Sequence, residues 1–550
     1  MEDLGTYDLF NACPGNPWLP LRPPDDQHSG HMSGGPQRPP IEIPQRWFNK
    51  RFVDLQPSSR PFTSQTTLMP GREHEISRDA LAGSLRKQLP DVTLPSTGFL
   101  NRCIRMFSTQ LWHIIPIVHL PTFRPAQTNP LLLLSICSLS ALAEGSPDAL
   151  YHAERLFTAI NKAILISSQP SEVVSIEQTL PILQAAAIGQ TYALLSGKTT
   201  DLMLSQLYHG PLGFGILALE KLMLQSRATE LSMSPSLDPE QDWSKWIQLQ
   251  TVIRLRNAIQ IHNGEISAIL HAPSTFRSDP VNVQTAAPDA LFLAKTPAEW
   301  TAASSRNVSV PLPVPFSLCA VIEGFIAAVG HARATPFAEV GLQTTQALLA
   351  MLCTWFDDSI QLLTSDSANK LSVLMLCHSC YIHMLCDMDL FERACGRDGA
   401  QAASTEEKQT IRDWASTADA RRAACHAFYI QLLLERFRLS DVPGMHVARS
   451  SWHAGLLLAV YSSYAPITAN AELWKLEDTF SEFNSVRKAK YYTEQEWTSA
   501  TCDITPERCS AASFAMAAIL RRLGPWRNAA TYADTLGHVI DLLERDEPLT

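Results

Sequence analysis

From about residue 81 onward, apolar positions recur at helical spacing. Leu156, Phe157, Ile160, Ala163 and Ile164 fall at i, i+1, i+4, i+7 and i+8, one face of a 3.6-residue helix. Leu180, Leu183, Ala187 and Leu194 carry the pattern onward, and Pro147, Pro170 and Pro181 predict helix stops and first-turn starts. Period-two alternation is scarce: 308–314 is the best strand candidate, and Pro311 and Pro313 break it. Residues 273–315, rich in Pro, Ser, Thr and Ala, predict a loop-rich junction. A second helical run extends from Phe316 to about Leu543, with a polar loop over 398–407 and a break around Pro443. No fixed period of the TPR or HEAT kind emerges. The pattern therefore predicts an all-α protein with a helical region over 81–315 and a second helical block over 316–550 packed on it.

Ahead of these helices, the first 70 residues hold 12 of the 37 prolines. Such a segment cannot sustain helix or sheet, so residues 1–80 read as a disordered Pro-rich arm. Its one basic knot is Arg46-Trp47-Phe48-Asn49-Lys50-Arg51, read as a solvated linker, with nuclear import or phosphate contact as the alternative. Where the helices begin, 111–123 reads LWHIIPIVHLPTF. Pro116 and Pro121 end a helix arriving over 99–112, because proline lacks an amide donor and clashes with the preceding turn. Ile117, Val118 and Leu120 around His119 predict a short, buried, extended connector, with His113 and His119 as hydrogen-bonded structural histidines.

Composition narrows the function classes. Apolar residues make up 45% and charged residues 18% of the 550, which indicates a large buried core. A net charge of -10 argues against gripping nucleic acid through bulk charge, since phosphate binding uses clustered Lys and Arg. Twelve scattered cysteines suggest no disulfide framework and a reducing compartment. The acidic start MEDLGTYDLF lacks the basic and apolar regions of a signal peptide, and the apolar run 131–143 is too short to span a bilayer. No membrane partner is expected.

Candidate chemistry is thin. Ser196-Gly197-Lys198-Thr199 mimics the end of a phosphate-binding loop, but Tyr192 stands where its first glycine is needed. Asp357-Asp358 resembles half of the magnesium-binding motif of helical terpene cyclases, yet Gln361 replaces the next acid, so a solvated helix-end pair is the better account. Cys377, Cys380, His383 and Cys386 lie at i, i+3, i+6 and i+9 of one apolar helix and rotate away from one another, which favours buried thiols over zinc. The remaining histidines, including His152, His209, His271 and His331, have no spaced carboxylate or thiol partners. No catalytic residue, cofactor site or metal site is expected, and the chain is not read as an enzyme.

An ordered run of motifs carries a resemblance. LWHIIPIVHLPTF, with His113, Pro116, His119, Pro121, Thr122 and Phe123, resembles the "fPilHrPTF" signature opening the fungal-specific transcription factor domain, or middle homology region. NPLLLLSICSLSALA at 129–143, LPILQAAAIGQTYALL at 180–195, the block with Trp243, Trp246, Ile247, Arg254 and Leu255, HAPSTF with Pro273, and APDALFLAKTPAEW at 287–300 follow in the family's order. Gly524-Pro525-Trp526 resembles the end of its two-Cys two-His zinc-finger branch. Three positions depart: Gln250 replaces a usual glutamate, Arg254 alone remains of paired arginines, and Asn263 stands where aspartate is common.

The resemblance implies a nuclear transcriptional regulator with a helical regulatory and interaction domain, governing secondary-metabolite or nutrient-use genes. Transcription co-regulators and a homo- or heterodimer partner are implied with it. Before Cys103 the sequence offers only Cys13, His28, His31 and His74, which cannot build a finger around tetrahedral zinc. DNA contact is therefore expected through a partner or a missing N-terminal module, and zinc is expected only with such a finger. The alternatives are a cytoplasmic helical scaffold or small-ligand receptor and, behind both, an all-α enzyme.

Overall fold

Local capping chemistry sets most of the helix boundaries. The computed structural model describes residues 94–167, 175–231, 238–277, 279–306, 314–359, 367–399, 404–438, 440–465, 480–488 and 504–545, with residues 492, 493, 495 and 496. The expected arm over 1–80, with Cys13, His28, His31, His74 and the basic knot, lies outside the described residues. So do Pro170 and all of the strand candidate except Val314. Among the described residues every regular element is helical.

Ser96 accepts a hydrogen bond from the Phe99 amide at 3.2 Å and opens α1, Thr97–Met106. Asn129 caps α2, Pro130–Glu144, with Pro130 in the first turn; Gly145, at φ 73°, closes it in the left-handed conformation. The next helices are α3 (Pro147–Ser167), α4 (Ile176–Leu195), α5 (Thr199–Leu231) and α6 (Pro239–Leu270). Two short helices, α7 (Asp289–Phe292) and α8 (Pro297–Arg306), occupy the expected loop-rich junction.

Then follow α9 (Pro315–Arg333), α10 (Ala338–Ser359), α11 (Ala368–Leu385), α12 (Met388–Ala394), α13 (Thr405–Ala415), α14 (Ala418–Glu435) and α15 (Val447–Tyr464). The series closes with α16 (Ser481–Lys488), α17 (Pro506–Leu520) and α18 (Arg527–Arg545).

Three boundaries differ from the sequence pattern. The helix expected over 99–112 is α-helical only to Met106 and finishes as a π turn, Phe107–Leu111, well short of Pro116. Pro181 stands inside α4 and not at its start, because Ser175 caps that helix a turn earlier. The hydrogen bond that proline forfeits is tolerated in a helix buried without interruption from Leu183 to Leu195. The polar loop ends at Ser404: Ser404 and Glu407 form a reciprocal capping box and draw Thr405–Ala415 into α13.

Packing passes the chain from helix to helix. α2 packs on α3 and α4, and α4 on α5 and α6; α6 lies against α9, α9 against α11, α11 against α14, and α15 against α14, α17 and α18. The predicted stripe Leu156, Phe157, Ile160, Ala163 and Ile164 faces this interior. By length and composition, α9 and the stretch Thr199–Met223 of α5 are apolar enough to cross a membrane. In the fold α9 is mostly enclosed by its neighbours, whereas α5 leaves Leu207, Phe214 and Leu217 exposed.

The crossing of α6 and α9 depends on one missing side chain. A Cβ on Gly264 would fall 2.6 Å from the backbone oxygen of Glu323, so the two helices approach only over glycine. Gly264→Ala is expected to destabilise the protein by about 1–3 kcal/mol. An unchanged denaturation midpoint would refute the close approach.

Candidate functional site

Two polar assemblies stand out in an otherwise apolar interior, and the first is built on the connector 111–123. Ile115 and Ile117 are fully buried there, so their backbone groups need partners inside the protein. Gln184 on α4 donates Nε2–H to the Ile117 carbonyl at 2.6 Å, and Trp112 donates Nε1–H to the Val118 carbonyl at 2.7 Å. His113 Nε2 lies 3.1 Å from the Val442 carbonyl, beside the break before α15. Leu120–Thr122, a 3-10 turn, carries Pro121 and Thr122, and His119 Nδ1 sits 2.8 Å from Thr122 Oγ1. Burial lowers His119 to about 4, so its ring is neutral.

That ring meets Trp243 edge-on at 5.9 Å and Phe292 at 5.1 Å between centroids. Arg254, fully buried on α6, completes the clasp. Its Nη2 donates to the Ala287 carbonyl at 2.7 Å and to Asp289 at 2.8 Å. Among the described residues its Nε and Nη1 find no hydrogen-bond acceptor, and the guanidinium lies 4.3 Å from the Phe292 ring centroid and 5.9 Å from that of Trp112.

Thus His119, Thr122, Trp243 and Arg254 come together, with His113 and Pro116 nearby on the same connector. Phe123 packs against the core at its far end. Trp246 lies apart, tilted on Trp300 at 5.5 Å, and Pro273 is exposed on the loop after α6.

The three departures each have a structural role. Gln250 Oε1 accepts the Ala287 amide at 2.8 Å, so one peptide unit is held by Gln250 and Arg254 together. Asn263 grips the backbone of Phe276 through both amide atoms, at 2.9 and 3.3 Å. Asn263 Oδ1 also receives His209 Nε2 at 3.3 Å.

Behind the clasp lies the second assembly, which the sequence did not announce. Arg449 on α15 is buried and donates from Nε and Nη2 to both oxygens of Glu265, at 2.8 and 3.0 Å, and from Nη2 to Glu323 at 2.6 Å. Its Nη1 points at His383 Nε2, 3.2 Å away. Arginine can only donate, so His383 presents an unprotonated Nε2, and His453, 3.0 Å from the same atom, donates from Nδ1. Burial holds both rings well below their ordinary pKa.

Burial also pushes the Glu323 carboxyl well up, and the adjacent Glu265 adds to this against Arg449. Glu265 itself is held low, because Arg449 outweighs its burial. Glu265 and Glu323 also share a side-chain hydrogen bond, so the two acids meet each other as well as Arg449. From it the network continues to Glu392, which accepts Trp452 Nε1–H at 3.2 Å and lies 2.9 Å from His271 Nε2. Arg397, Asp389, Arg393 and Glu407 carry it to the surface.

The sequence candidates are scattered by the fold. Gly197 takes φ 69° in the tight turn from α4 to α5, and a Cβ there would lie 3.2 Å from the Asn528 backbone; Lys198 pairs with Glu154 at 2.7 Å. Asp357 and Asp358 end α10 and line an open cleft of about 480 Å³ with Cys353, Arg422 and Ser481. Cys377, Cys380 and Cys386 are buried free thiols, and His383 turns away from them to Arg449. His271 and His209, which have no partners by spacing, find Glu392, and Gln190 with Asn263, across the fold.

The fold and these two assemblies define an all-α body knitted by buried polar groups. Residues 104–250 match the family model described as the fungal specific transcription factor domain. The match takes in the connector, Trp243 and Trp246 and ends at Gln250, before Arg254 and Pro273. No curated protein and no solved structure matches the chain.

Arg449→Met leaves Glu265 buried without its cation and is expected to cost about 3–5 kcal/mol. Adding Glu265→Gln and Glu323→Gln should recover much of that loss in urea denaturation.

A pH effect follows from the His271–Glu392 pair. Against the cost of burial, His271 and its neighbours hold Glu392 at about 2, below its ordinary 4.5, and Glu392 in turn raises His271 above 6.5. The Glu392 contribution is present above pH 4.5 and lost as pH falls toward 2. The His271 contribution is present below pH 6.5 and lost as pH rises through its raised value. Both act together between pH 4.5 and 6.5. Unfolding midpoints measured from pH 5 to 9 should fall on the alkaline side in the parent and change less in His271→Asn.

Proposed function

We propose that this chain is a nuclear transcriptional regulator whose helical body receives signals and engages transcription co-regulators. The observation that carries this reading is the family match over 104–250, which contains the connector around which the first assembly is built. In this reading residues 81–315 are the middle homology region, residues 316–550 are a block packed on it, and 1–80 are a disordered arm. DNA is reached through a partner or an N-terminal finger, with homo- or heterodimers as the working form. The signature residues His113, Pro116, His119, Pro121, Thr122, Phe123, Trp243, Trp246, Arg254 and Pro273 serve structure and not chemistry. The regulated genes belong to secondary metabolism or nutrient use.

A second reading, a cytoplasmic small-ligand receptor, draws on the open cleft beside Arg422 and Cys353. An all-α enzyme would use the same cleft through Asp357 and Asp358.

Fusing the whole chain to a foreign DNA-binding domain separates the readings. Reporter transcription is expected to change at least severalfold, with a fluorescent fusion concentrated in nuclei. A silent reporter and a cytoplasmic fusion would favour the receptor.

A further inference from the structure

We propose that the outer face shared by α3 and α5 docks an acidic, amphipathic helical segment of a partner protein, which on the function proposed above is a transcription co-regulator. A helix on the surface of a soluble body ordinarily turns charged residues to the water. α5 does the reverse. From Leu202 to Leu219 it carries no Asp, Glu, Lys or Arg, and Leu207, Phe214 and Leu217 are 73%, 72% and 54% exposed. Large apolar side chains grouped in this way mark an interaction surface.

α3 extends the face. Tyr208 of α5 donates its hydroxyl to Asn161 of α3 at 2.6 Å, and Lys198, just ahead of α5, meets Glu154 of α3 at 2.7 Å. Residue 154 thus stands beside 198 and residue 161 beside 208, so the two helices run side by side in the same direction. Both pack on the buried α4, which turns their exposed residues to one side. There Leu165 of α3, 44% exposed, adds to the apolar residues of α5.

Charge points to the kind of partner. Lys162 on α3 and Lys221 on α5 are exposed and have no carboxylate partner among the described residues. Arg155 turns to Tyr151, with Nη1 2.8 Å from the hydroxyl and the guanidinium 5.3 Å from the ring centroid. Two nearby acids are engaged elsewhere: Glu154 holds Lys198, and Glu220 holds Arg256. Asp148 and Glu177, in the first turns of α3 and α4, form no ion pair with the three cations. On a chain with a net charge of -10, this leaves an uncharged stripe bordered by cations without counter-charge. The complementary surface carries large apolar side chains bordered by Asp and Glu. From Leu207 to Lys221 the stripe covers about 21 Å, which a helix of about four turns matches.

Other occupants fit less well. A second copy would set the same cations against one another across a two-fold axis, between bodies that already repel through a net charge of -10 each. A lipid surface would have to take in the half-exposed Lys198–Glu154 ion pair, at a cost in desolvation, whereas a peptide leaves that pair at its edge.

Selection on the immobilised full chain from a phage library of random peptides about 16 residues long tests this. Enriched peptides are expected to carry net negative charge with large apolar residues at i, i+3 or i+4 and i+7. A synthetic copy of the leading peptide should bind with a micromolar Kd that weakens as salt is added. Leu207→Ser with Phe214→Ser should weaken that binding at least about tenfold, and Lys162→Glu with Lys221→Glu at least about fivefold. All four side chains are exposed, so unfolding midpoints should stay near the parent value.

No enrichment, enrichment of neutral or basic peptides, or binding indifferent to either pair of substitutions would overturn the proposal. So would binding of the parent to phosphatidylserine-rich vesicles, or a dimer of the parent in sedimentation, that the serine pair abolishes. Should the serine pair fail to fold, the charge-reversal pair decides alone. The selection reads the surface whatever the chain does to transcription. Peptide binding beside a silent reporter sinks only the function proposed above, and an active reporter without an acidic peptide sinks only this proposal.

Discussion

The guanidinium of Arg449 is the constraint on which the joint of the protein depends. A cation sealed from water must be neutralised and have its donors answered, or it costs several kcal/mol. Glu265 from α6, Glu323 from α9 and His383 from α11 supply those acceptors, so three helices take their register on α15 from one side chain. Apolar packing alone sets no such register, because one leucine face slides over another at modest cost. The absence of a side chain at Gly264 belongs to the same constraint, since it lets Glu323 come close enough to share the cation.

The clasp around Arg254 meets the same physical demand by a different route. There only one carboxylate, Asp289, faces the arginine, and aromatic faces take the remaining donors. This explains how the chain manages with Gln250 and a single arginine where relatives are expected to carry more charge. The neutral amide of Gln250 and the Ala287 peptide do the positioning, and Phe292 and Trp112 stabilise the cation without adding a buried negative charge. Joined to Val442 through His113, the clasp also reaches toward the break before α15, the helix that carries Arg449.

How much of this was legible in the sequence depends on how local each interaction is. The stripe from Leu156 to Ile164 acts within a few residues and reads directly as a helix. Pro181 misled because tertiary burial overrode a local preference, and the capping box at Ser404 was overlooked inside a polar run. The connector was recognisable as a string, but the partners of its histidines lay out of reach of spacing. His119 meets Trp243 and Phe292, and Arg254 meets Asp289, across long stretches of chain. The signal for Phe292 and Asp289 was present in the segment APDALF, though only as a family likeness. The Arg449 network is not legible in the sequence, because Glu265, Glu323, His383 and Arg449 lie on four separate helices and no spacing links them. A lone polar residue on an apolar face is the one hint that such helices give.

That hint also separates the two halves of the site. The family match ends at Gln250, and every member of the Arg449 cluster lies beyond it. The match covers the connector and Trp243, while Arg254, Asp289 and Phe292, which close the clasp, also lie past its end. The cluster sets two acids against one cation at the meeting of α6, α9 and α15. Such a joint is sensitive to charge in a way that apolar joints are not, because one proton changes the charge balance at the contact itself. The hydrogen bond between Glu265 and Glu323 ties α6 to α9 at the same point where Arg449 ties both to α15.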